Sequence, residues 1–598
     1  MTIPPSPFPA DAAEVAWDIE TLLEQPGAAG VAQLLDEAEQ LSDEVAQTRG
    51  TIETLGVSEL ASVFNKIAEI TDRVGRAGNY ASLAFCVETS SPEVGALMQS
   101  VQERSTQIAS KLLFVELEWS AVSDEHADTY CADPELGFVA RHLRNIRRYR
   151  PHLLSEPEEV LMMEKSVTGA AAWSRLFDEI TSAIEVDIDG KAQPLDSALA
   201  HLHNRDSTVR SGAAAAVTQA LEPSMRTRAF VFNTLLADKA TDDRFRKYPT
   251  WLSARNLDNE ASDASVDALI AAVVARYDIA RNWYRTKAQL MGVEQLNDWD
   301  RYASLAQHDA ECSWGEACQL VYDAYASFSP KMASIVEKFL TQPWIDAPVR
   351  ESKRGGAFCA YTVASHHPYL LLNWTSKRRD VLTLAHELGH GVHAYLSRPQ
   401  GDFHQMTPLT VAETASVFGE TVTFNTLLAQ VEDPAERLPL LASCLEDQIA
   451  TVFRQVAMSQ FEQLVHTERR EVGELSIERF GDLWIETQSA MLGDSVKLSD
   501  GYRSWWSYIP HFIHTPGYVY AYAYGQLLAL SVYAHYEQQG SDFVASYEEM
   551  LAAGGSRSPE ELGAMVGVDL TDPAFWDGGL DIIQRLLEQT QRAADLLS

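Results

Sequence analysis

The apolar residues of this chain recur mostly at steps of three and four positions, which is the spacing of one helix face. This pattern predicts helices over residues 31–47, 58–74, 93–117 and 269–290. A further helix is predicted to begin at Ser558, a capping residue that is followed by Pro559 and, three residues after the cap, by Glu561. The chain is therefore predicted to be mainly helical.

Strand signals are few. Ile184, Val186 and Ile188 alternate with charged residues and lead into the dipeptide at 189–190, Asp-Gly, which favours a tight hairpin turn. We interpret this strand and turn signal as the end of an N-terminal helical domain. We therefore predict one domain over 1–195 and a second, larger domain over 196–598.

A second strand signal lies at residues 369–374. This short apolar run after Pro368 predicts a buried strand. A peptide can add to the edge of such a strand through main-chain hydrogen bonds.

The apolar background of residues 381–396 predicts a buried helix, yet this helix carries H-E-L-G-H at 386–390. His386 and His390 lie four residues apart and so share one helix face. Buried imidazoles are costly without a partner, and a metal ion bound between them supplies one. Glu387 stands beside them and can reach a water on that ion. The H-E-x-x-H pattern therefore predicts a zinc site with Glu387 as general base.

A catalytic zinc ion takes three protein ligands and keeps one open position. The metzincin pattern would need a third histidine at 396, where this chain has Leu396. The apolar segment 411–420 predicts another buried helix, in which Glu413, Ser416 and Glu420 share a face. Glu413 is the predicted third ligand. Glu420 is predicted either to orient a ligand histidine or to be a helix-surface carboxylate.

His393 offers a different third ligand. It lies three residues after His390 on the same face, and spacing alone allows a site of three histidines. One ion cannot easily reach across the two helical turns that separate His386 from His393. We therefore expect His393 to pack or to contact the site from outside the ligand shell.

Tyrosines alternate with small apolar residues at Tyr518, Tyr520, Tyr522 and Tyr524. The apolar run continues to residue 534, which is too long for an ordinary strand, so a helix is predicted. Four tyrosines in its first half argue against a membrane span. The alternative to a functional role is a buried aromatic helix whose hydroxyls are satisfied in the core.

These motifs together resemble one known family. The sequences H-E-L-G-H-G-V-H at 386–393 and E-T-A-S at 413–416 are similar to the oligoendopeptidase F branch of the thimet-type oligopeptidases. Further similar segments are 298–302, 353–359, 366–374 and 510–512. The resemblance extends over about residues 150 to 590.

The resemblance implies a mainly α, bilobed, zincin-type metallopeptidase with a deep central channel and a small β-sheet near the active site. It implies one Zn²⁺ per chain and short, unfolded peptides as substrates. Residues 196–598 would then be the catalytic zinc metallopeptidase domain.

The resemblance also assigns a role to the tyrosine segment. Tyr518 and Tyr522 would donate hydrogen bonds to the oxyanion of the tetrahedral intermediate, assisted by a histidine. The spacing from His511 to Tyr518 is one residue longer than the family pattern, and the spacing from His514 is too short. The pattern favours His511, and both histidines remain candidates. A third tyrosine of the thimet-type enzymes is replaced here by Gly525.

The predicted activity is that of a zinc metalloendopeptidase that hydrolyses internal bonds of short oligopeptides. One alternative is a carboxypeptidase-type exopeptidase of the same fold, which needs a group to capture a terminal carboxylate. The sequence does not locate such a group. Another alternative is a metal-bound peptide-binding protein without turnover, against which the intact Glu387 argues.

The net charge and the cysteine content restrict the classes of binding partner and the cellular location that we expect. The net charge of −38 opposes nucleic-acid binding, which requires a basic surface. Six scattered cysteines fit reduced thiols, and residues 1–7 carry neither the basic nor the apolar region of a secretory signal. A cytoplasmic protein without a membrane segment is therefore predicted, and the sequence predicts no particular oligomeric state.

Overall fold

Helices dominate the computed structural model, which describes residues 8–305 and 311–597. The α-helices are α1 (Gly27–Ala46), α2 (Val57–Val87), α3 (Pro92–Ala121), α4 (Asp124–Ala132), α5 (Ala140–Arg148), α6 (Glu156–Ser166), α7 (Ala170–Ser182), α8 (Leu195–Ala200), α9 (Ser207–Leu221), α10 (Met225–Phe245), α11 (Ser253–Asp258), α12 (Asp263–Ala275), α13 (Tyr277–Leu290), α14 (Trp314–Phe328), α15 (Pro330–Thr341), α16 (Arg378–Ser397), α17 (Leu409–Gln430), α18 (Pro434–Gln448), α19 (Gln455–Val472), α20 (Ile477–Leu492), α21 (His511–His514), α22 (Tyr520–Gln539), α23 (Ser541–Ala552), α24 (Pro559–Met565) and α25 (Pro573–Asp595). Residues 1–7, which bear on the predicted absence of a signal, lie outside the described part of the chain.

The strands are short. They are β1 (Glu185–Ile188), β2 (Lys191–Pro194), β3 (Leu296–Asn297), β4 (Ile345–Pro348), β5 (Phe358–Ala360), β6 (Tyr369–Trp374) and β7 (Val496–Lys497). β1 and β2 form an antiparallel hairpin, β3 pairs with β7 in parallel, and the third sheet has the order β4-β6-β5. The prediction of a mainly helical fold with small sheets is confirmed.

The predicted hairpin is confirmed. Asp189 and Gly190 form its turn with φ values of 53° and 79°, which is why Asp-Gly is favoured there. The Gly190 N–H donates to Asp187 Oδ1 at 2.7 Å. The capping prediction at Ser558 is also confirmed, because Ser558 and Glu561 form a capping box at the start of α24.

The first three helix predictions correspond to α1, α2 and α3, but the prediction of one helix over 269–290 is wrong. α12 ends at Ala275 and α13 begins at Tyr277. Arg276 leaves the helical conformation, and its guanidinium donates to Asp581 Oδ1 at 2.9 Å. The sequence has neither glycine nor proline at this break. The break is accompanied instead by a contact with a residue far away in the sequence, which local patterns do not reveal.

The apolar run 369–374 forms strand β6 as predicted, but it offers no free edge along residues 369–371. It pairs with β4 in parallel on one side and with β5 antiparallel on the other. β4 and β5 therefore form the two edges of this three-stranded sheet. The expectation that a peptide adds to the edge of β6 is wrong for this reason.

The chain divides into two compact units, each assembled from three segments. Unit 1 comprises Met1–Arg150, His308–Gln430 and His535–Asp569, and unit 2 comprises Pro151–Gln307, Val431–Ala534 and Leu570–Ser598. A buried apolar cluster built largely from α1, α2 and α3 forms one core in unit 1, and another cluster forms a core in unit 2. The domain boundary at 195, the bilobed shape and the central channel stay predictions.

Among the described residues, no helix combines the length and the apolar character that crossing a membrane would require. The cytoplasmic location stays a prediction.

Candidate active site

Helix α16 carries the H-E-x-x-H residues and lies within unit 1. Its apolar positions Val381, Leu384, Leu388 and Val392 are fully buried, so that the opposite face is left for the histidines. Helix α17 runs beside it in direct backbone contact. A Cβ atom added at Gly389 would lie 2.4 Å from the Ala415 carbonyl oxygen. The glycine inside the motif therefore permits the close approach of the two helices.

This approach brings His386, His390 and Glu413 together. The Nε2 atoms of both histidines lie 3.4 Å from the same carboxylate oxygen, Glu413 Oε2. In the part of the chain that the structure describes, these three side chains are the one group of histidine, cysteine or acidic residues with metal-binding spacing. We call them the triad. The structure thus brings together the three residues that the sequence predicts as ligands.

The triad fits a zinc ion by its spacing. A separation of 3.4 Å exceeds that of a good N–H···O hydrogen bond. Two ligands bound at ~2.0–2.1 Å to a tetrahedral zinc lie about 3.4 Å from each other. The exposed fractions of the three side chains are 27%, 15% and 37% for His386, His390 and Glu413, so protein does not close the site. An open site of two imidazoles and one carboxylate is the donor set of a catalytic zinc site.

Two neighbours on α17 orient the triad. Glu420 Oε2 accepts a hydrogen bond from His386 Nδ1 at 3.1 Å, which leaves His386 Nε2 facing Glu413. The Ser416 hydroxyl donates to Glu413 Oε2 at 2.7 Å. Of the two interpretations of Glu420, the structure agrees with the orienting contact. Such partners hold ligand rings in place and fix their tautomers.

The charges of the triad are strongly coupled. Burial lowers the pKa of His386, but the nearby carboxylates of Glu413 and Glu420 outweigh burial and raise it to about 10. Burial raises the pKa of Glu413, but the two histidines outweigh it and hold the pKa well below its usual range. The carboxylates of Glu413 and Glu420 therefore favour positive charge in this region.

Glu387 lies near the side chains of the triad but does not belong to it. Only 7% of its surface is exposed. Burial raises the pKa of this carboxyl, while the positive charges of His386 and His390 oppose the rise. A carboxylate whose pKa is raised toward neutrality is suited to accept a proton and to release it again.

His393 lies outside the triad, as expected. Its side chain is 1% exposed, and burial lowers its pKa to about 3, so the ring is neutral. The structure therefore favours a packing role for this histidine.

Sequence reasoning missed two residues beside the triad. Cys359 on the edge strand β5 is close enough to Glu387 that the carboxylate charge, after burial, raises the pKa of the thiol. The ring of Tyr361 lies 6.4 Å from that of His390, measured between centroids. The segment 353–359 contributed only to the family resemblance, because nothing in its own pattern indicates a position near the motif.

A second cluster lies in unit 2 and contains His511, Tyr518 and Tyr522. His511 Nε2 lies 3.1 Å from Tyr522 Oη, and the rings of the two tyrosines are 5.2 Å apart. Tyr522 is 36% exposed, whereas Tyr520 and Tyr524 are fully buried. The alternation therefore separates two accessible tyrosines from two core tyrosines. Helix α22 begins only at Tyr520, so the prediction that the helix includes Tyr518 is wrong.

The two candidate histidines have different partners. His514 Nε2 lies 2.7 Å from Asp178 Oδ1 on α7, and its ring contacts Phe177. The structure thus brings His511, and not His514, together with the tyrosines. Burial, followed by the charge of His514, lowers the pKa of His511, which keeps this ring neutral at neutral pH.

The turn between α21 and α22 is fixed by buried polar contacts. The Gly517 N–H donates to Glu462 Oε1 at 2.8 Å, and Arg255 Nε donates to the Pro516 carbonyl oxygen at 3.4 Å. Gly517 has a φ of 74°, and a side chain there would also collide with Leu252. Glu462 is fully buried, and burial raises its pKa to about 8.

We expect Glu462→Gln to stabilise the protein at alkaline pH. The folded state holds a proton on Glu462 up to about pH 8, whereas the unfolded state releases it near its ordinary pKa. Stability is therefore present at acidic pH and is lost as the pH rises through the folded pKa. Glutamine still accepts from Gly517 but does not titrate. The difference in Tm between Glu462→Gln and wild type should widen in favour of the variant from pH 5.5 to 8.

The matched control is Glu471→Gln, an exposed position on the same helix α19. Its Tm should follow that of the wild type at every pH. Parallel pH profiles for Glu462→Gln and wild type would contradict the buried-proton interpretation.

Comparisons with known proteins agree with this fold. A family model described as "Peptidase family M3" matches residues 200–582, and a model described as "Oligopeptidase F" matches residues 118–185. The chain is 26% identical over 536 residues to "Oligopeptidase PepF" of Bacillus subtilis (strain 168), covering 88% of this chain and 79% of that protein. It is 24% identical to an "Oligoendopeptidase F homolog" of Lactococcus lactis subsp. lactis (strain IL1403), covering 90% of each chain.

Solved structures share the fold. A peptidase structure from Chlamydophila abortus superimposes with a TM-score of 0.87 at 21% identity, covering 98% of this chain and 99% of that one. Oligoendopeptidase-F from Enterococcus faecium superimposes with a TM-score of 0.71 at 22% identity, covering 94% and 98%.

The helical fold and the H-E-x-x-H helix with its glutamate on a neighbouring helix are the features of a metallopeptidase. Because the M3 model matches more than half of its length, the chain belongs to peptidase family M3. M3 is a metallopeptidase family, and peptides are therefore the substrates of this enzyme.

Proposed function

We propose that this M3 peptidase is a zinc-dependent oligoendopeptidase that cleaves internal bonds of short peptides. The observation that carries the proposal is the convergence of His386 Nε2 and His390 Nε2 on Glu413 Oε2, each at 3.4 Å, with the buried Glu387 beside them. One Zn²⁺ per chain would be held by these three residues. Zinc bound in this way lowers the pKa of a coordinated water to ~7 and polarises a carbonyl oxygen.

Glu387 is proposed to act first as the general base and then as the general acid of the reaction. Its carboxylate accepts a proton from the attacking water and delivers it to the nitrogen of the departing amine. The raised pKa of Glu387 suits both halves of this transfer, because the group must gain and lose the proton in one cycle. Glu420 and Ser416 hold their hydrogen bonds to the triad throughout.

Tyr518 and Tyr522 are proposed to donate hydrogen bonds to the oxyanion of the tetrahedral intermediate, as the thimet-type resemblance implies. The hydrogen bond between His511 and Tyr522 supports the choice of His511 as the assisting histidine. The contact of His514 Nε2 with Asp178 Oδ1 supports a structural function for His514 instead.

The substrate backbone is proposed to extend along β5. This strand is one of the two edges of its sheet, and its residue Cys359 lies near Glu387. Main-chain pairing with a strand edge binds peptides of varied sequence in extended form. It requires neither terminus of the peptide, which favours internal cleavage.

Removal of one phenol tests the oxyanion assignment. We expect Tyr522→Phe to lower kcat by about 10²-fold or more, because one oxyanion donor typically contributes that factor. Zinc affinity should not change, since Tyr522 is outside the triad. The matched control is Tyr520→Phe, whose hydroxyl donates to Asn256 Oδ1 inside the core. Equal kcat values for the two variants, measured on one peptide, would argue against the assignment.

The proposed function is tested by digestion of an internally quenched peptide whose two termini are blocked. Cleavage should stop when a chelator removes the metal and should return on addition of Zn²⁺. Mass spectrometry of the products should show internal cleavage. Hydrolysis that proceeds in excess chelator would exclude the zinc mechanism. A blocked peptide that stays intact, while the same peptide with a free C-terminus is shortened from that end, would indicate an exopeptidase.

A further inference from the structure

Helix α14 places a buried tyrosine against the metal-binding helix. Tyr325 is 2% exposed, and its hydroxyl donates to the Ala385 carbonyl oxygen at 3.0 Å. Ala385 immediately precedes His386 on α16. The tyrosine thus contacts the backbone of α16 one residue before the first histidine of the triad.

The same hydroxyl occupies a notch in α17. A Cβ atom added at Gly419 would lie 1.8 Å from Tyr325 Oη, 2.6 Å from its Cζ and 3.2 Å from the Ala385 carbonyl oxygen. Only glycine therefore leaves room for the phenol at this point. Gly419 immediately precedes Glu420, the partner of His386 Nδ1.

One hydroxyl thus lies between the residue before His386 and the residue before Glu420. Burial, and after it the charge of Glu420, raise the pKa of Tyr325 above its ordinary value. The phenol therefore stays protonated and remains a donor to α16. The phenol thus lies between the two helices at the level where His386 and Glu420 meet.

We propose that Tyr325 is a positioning residue for the metal site: its hydroxyl, seated in the Gly419 notch, holds α16 and α17 so that Glu420 can orient His386 for zinc. The inference rests on the proposed zinc site and adds a residue from a third helix to it. Tyr325 touches neither the metal nor the substrate, and its effect is on metal affinity.

The test compares two isosteric substitutions, Tyr325→Phe and Tyr369→Phe. Tyr369 is the matched control, because it is fully buried in the same unit and its hydroxyl donates to a backbone carbonyl, that of Asp18, at 2.8 Å. Zinc affinity is measured by competition with a chromogenic chelator. Tyr325→Phe should weaken zinc binding about 10-fold, as outer contacts of metal sites do. Tyr369→Phe should leave the affinity unchanged, although both variants lose a buried hydrogen bond. Wild-type affinity in Tyr325→Phe would overturn the proposal.

A double-mutant cycle with Glu420→Ala asks whether Tyr325 acts through Glu420. In the Glu420→Ala background, Tyr325→Phe should cost no further zinc affinity, whereas a fully additive loss would overturn the proposal. Should Tyr325→Phe not fold, Tyr325→Leu carries the test: it also removes the hydroxyl and introduces no clash with Gly419, it should weaken zinc binding, and an unchanged affinity would overturn the inference. A wild-type protein that binds no zinc would refute the proposed function itself, which separates the two failures.

Discussion

Glu387→Gln is expected to abolish peptide hydrolysis while zinc binding persists. The amide has the shape of the carboxyl group but cannot accept a proton from water at neutral pH. General-base catalysis typically contributes 10²–10⁴-fold, and we expect kcat to fall by about 10³-fold or more. Glu387 is not part of the triad, so the ligand set of the metal is unchanged. The measurement is kcat on a quenched peptide together with zinc content per chain.

The control for this variant is Glu337→Gln, which makes the same substitution at an exposed position of α15. It should retain both zinc and turnover. Substantial hydrolysis by zinc-loaded Glu387→Gln would refute the role of Glu387 as base. Loss of zinc from this variant would show instead that the carboxylate contributes to metal binding.

Glu413→Ala is expected to remove the metal rather than the base. The substitution deletes the oxygen on which both histidines converge and leaves Ser416 without its carboxylate partner. Outer contacts of metal sites typically affect affinity 10–100-fold. Loss of a direct ligand should exceed this range, so we expect zinc affinity to fall by more than about 100-fold. Turnover should disappear with the metal and return in part at high Zn²⁺ concentration.

Glu420→Ala supplies the comparison, because Glu420 contacts a ligand and not the metal. Its zinc affinity should fall within the 10–100-fold range of outer contacts. Chelator competition measures both variants under one condition. An effect of Glu413→Ala no larger than that of Glu420→Ala would place Glu413 outside the ligand shell.

Short-range patterns were sufficient for much of the fold. The hairpin at β1–β2, the capping box before α24 and helices α1, α2 and α3 follow from residues within a few positions of each other. The same holds for the two histidines, whose i, i+4 spacing fixes them on one helix face.

Prediction of the third ligand needed more than local spacing, because Glu413 lies on a different helix from the two histidines. Glu413, Ser416 and Glu420 were grouped by helical periodicity, and this grouping agrees with their contacts to the triad. Their approach to α16, however, depends on Gly389 meeting the backbone of α17, and periodicity does not encode that contact. The expectation that the two helices meet came from the need of a catalytic zinc ion for a third protein ligand.

Features that depend on distant residues were not predictable from local patterns. The break at Arg276 accompanies a hydrogen bond to Asp581, and the orientation of His514 follows from Asp178. The central place of β6 depends on β4 and β5, which both precede it in the chain and pair with its two sides. No sequence pattern around Tyr325 indicates its position beside the metal-binding helix. The one related signal is Gly419, a glycine in an apolar helix, which indicates that another group packs closely there.

The most direct test of the zinc site is an anomalous difference map, recorded at the zinc absorption edge from crystals grown with Zn²⁺. One peak per chain is expected, bonded to His386 Nε2, His390 Nε2 and a carboxylate oxygen of Glu413. A zinc peak that lacks Glu413 as a ligand, or that lies away from both histidines, would contradict the account.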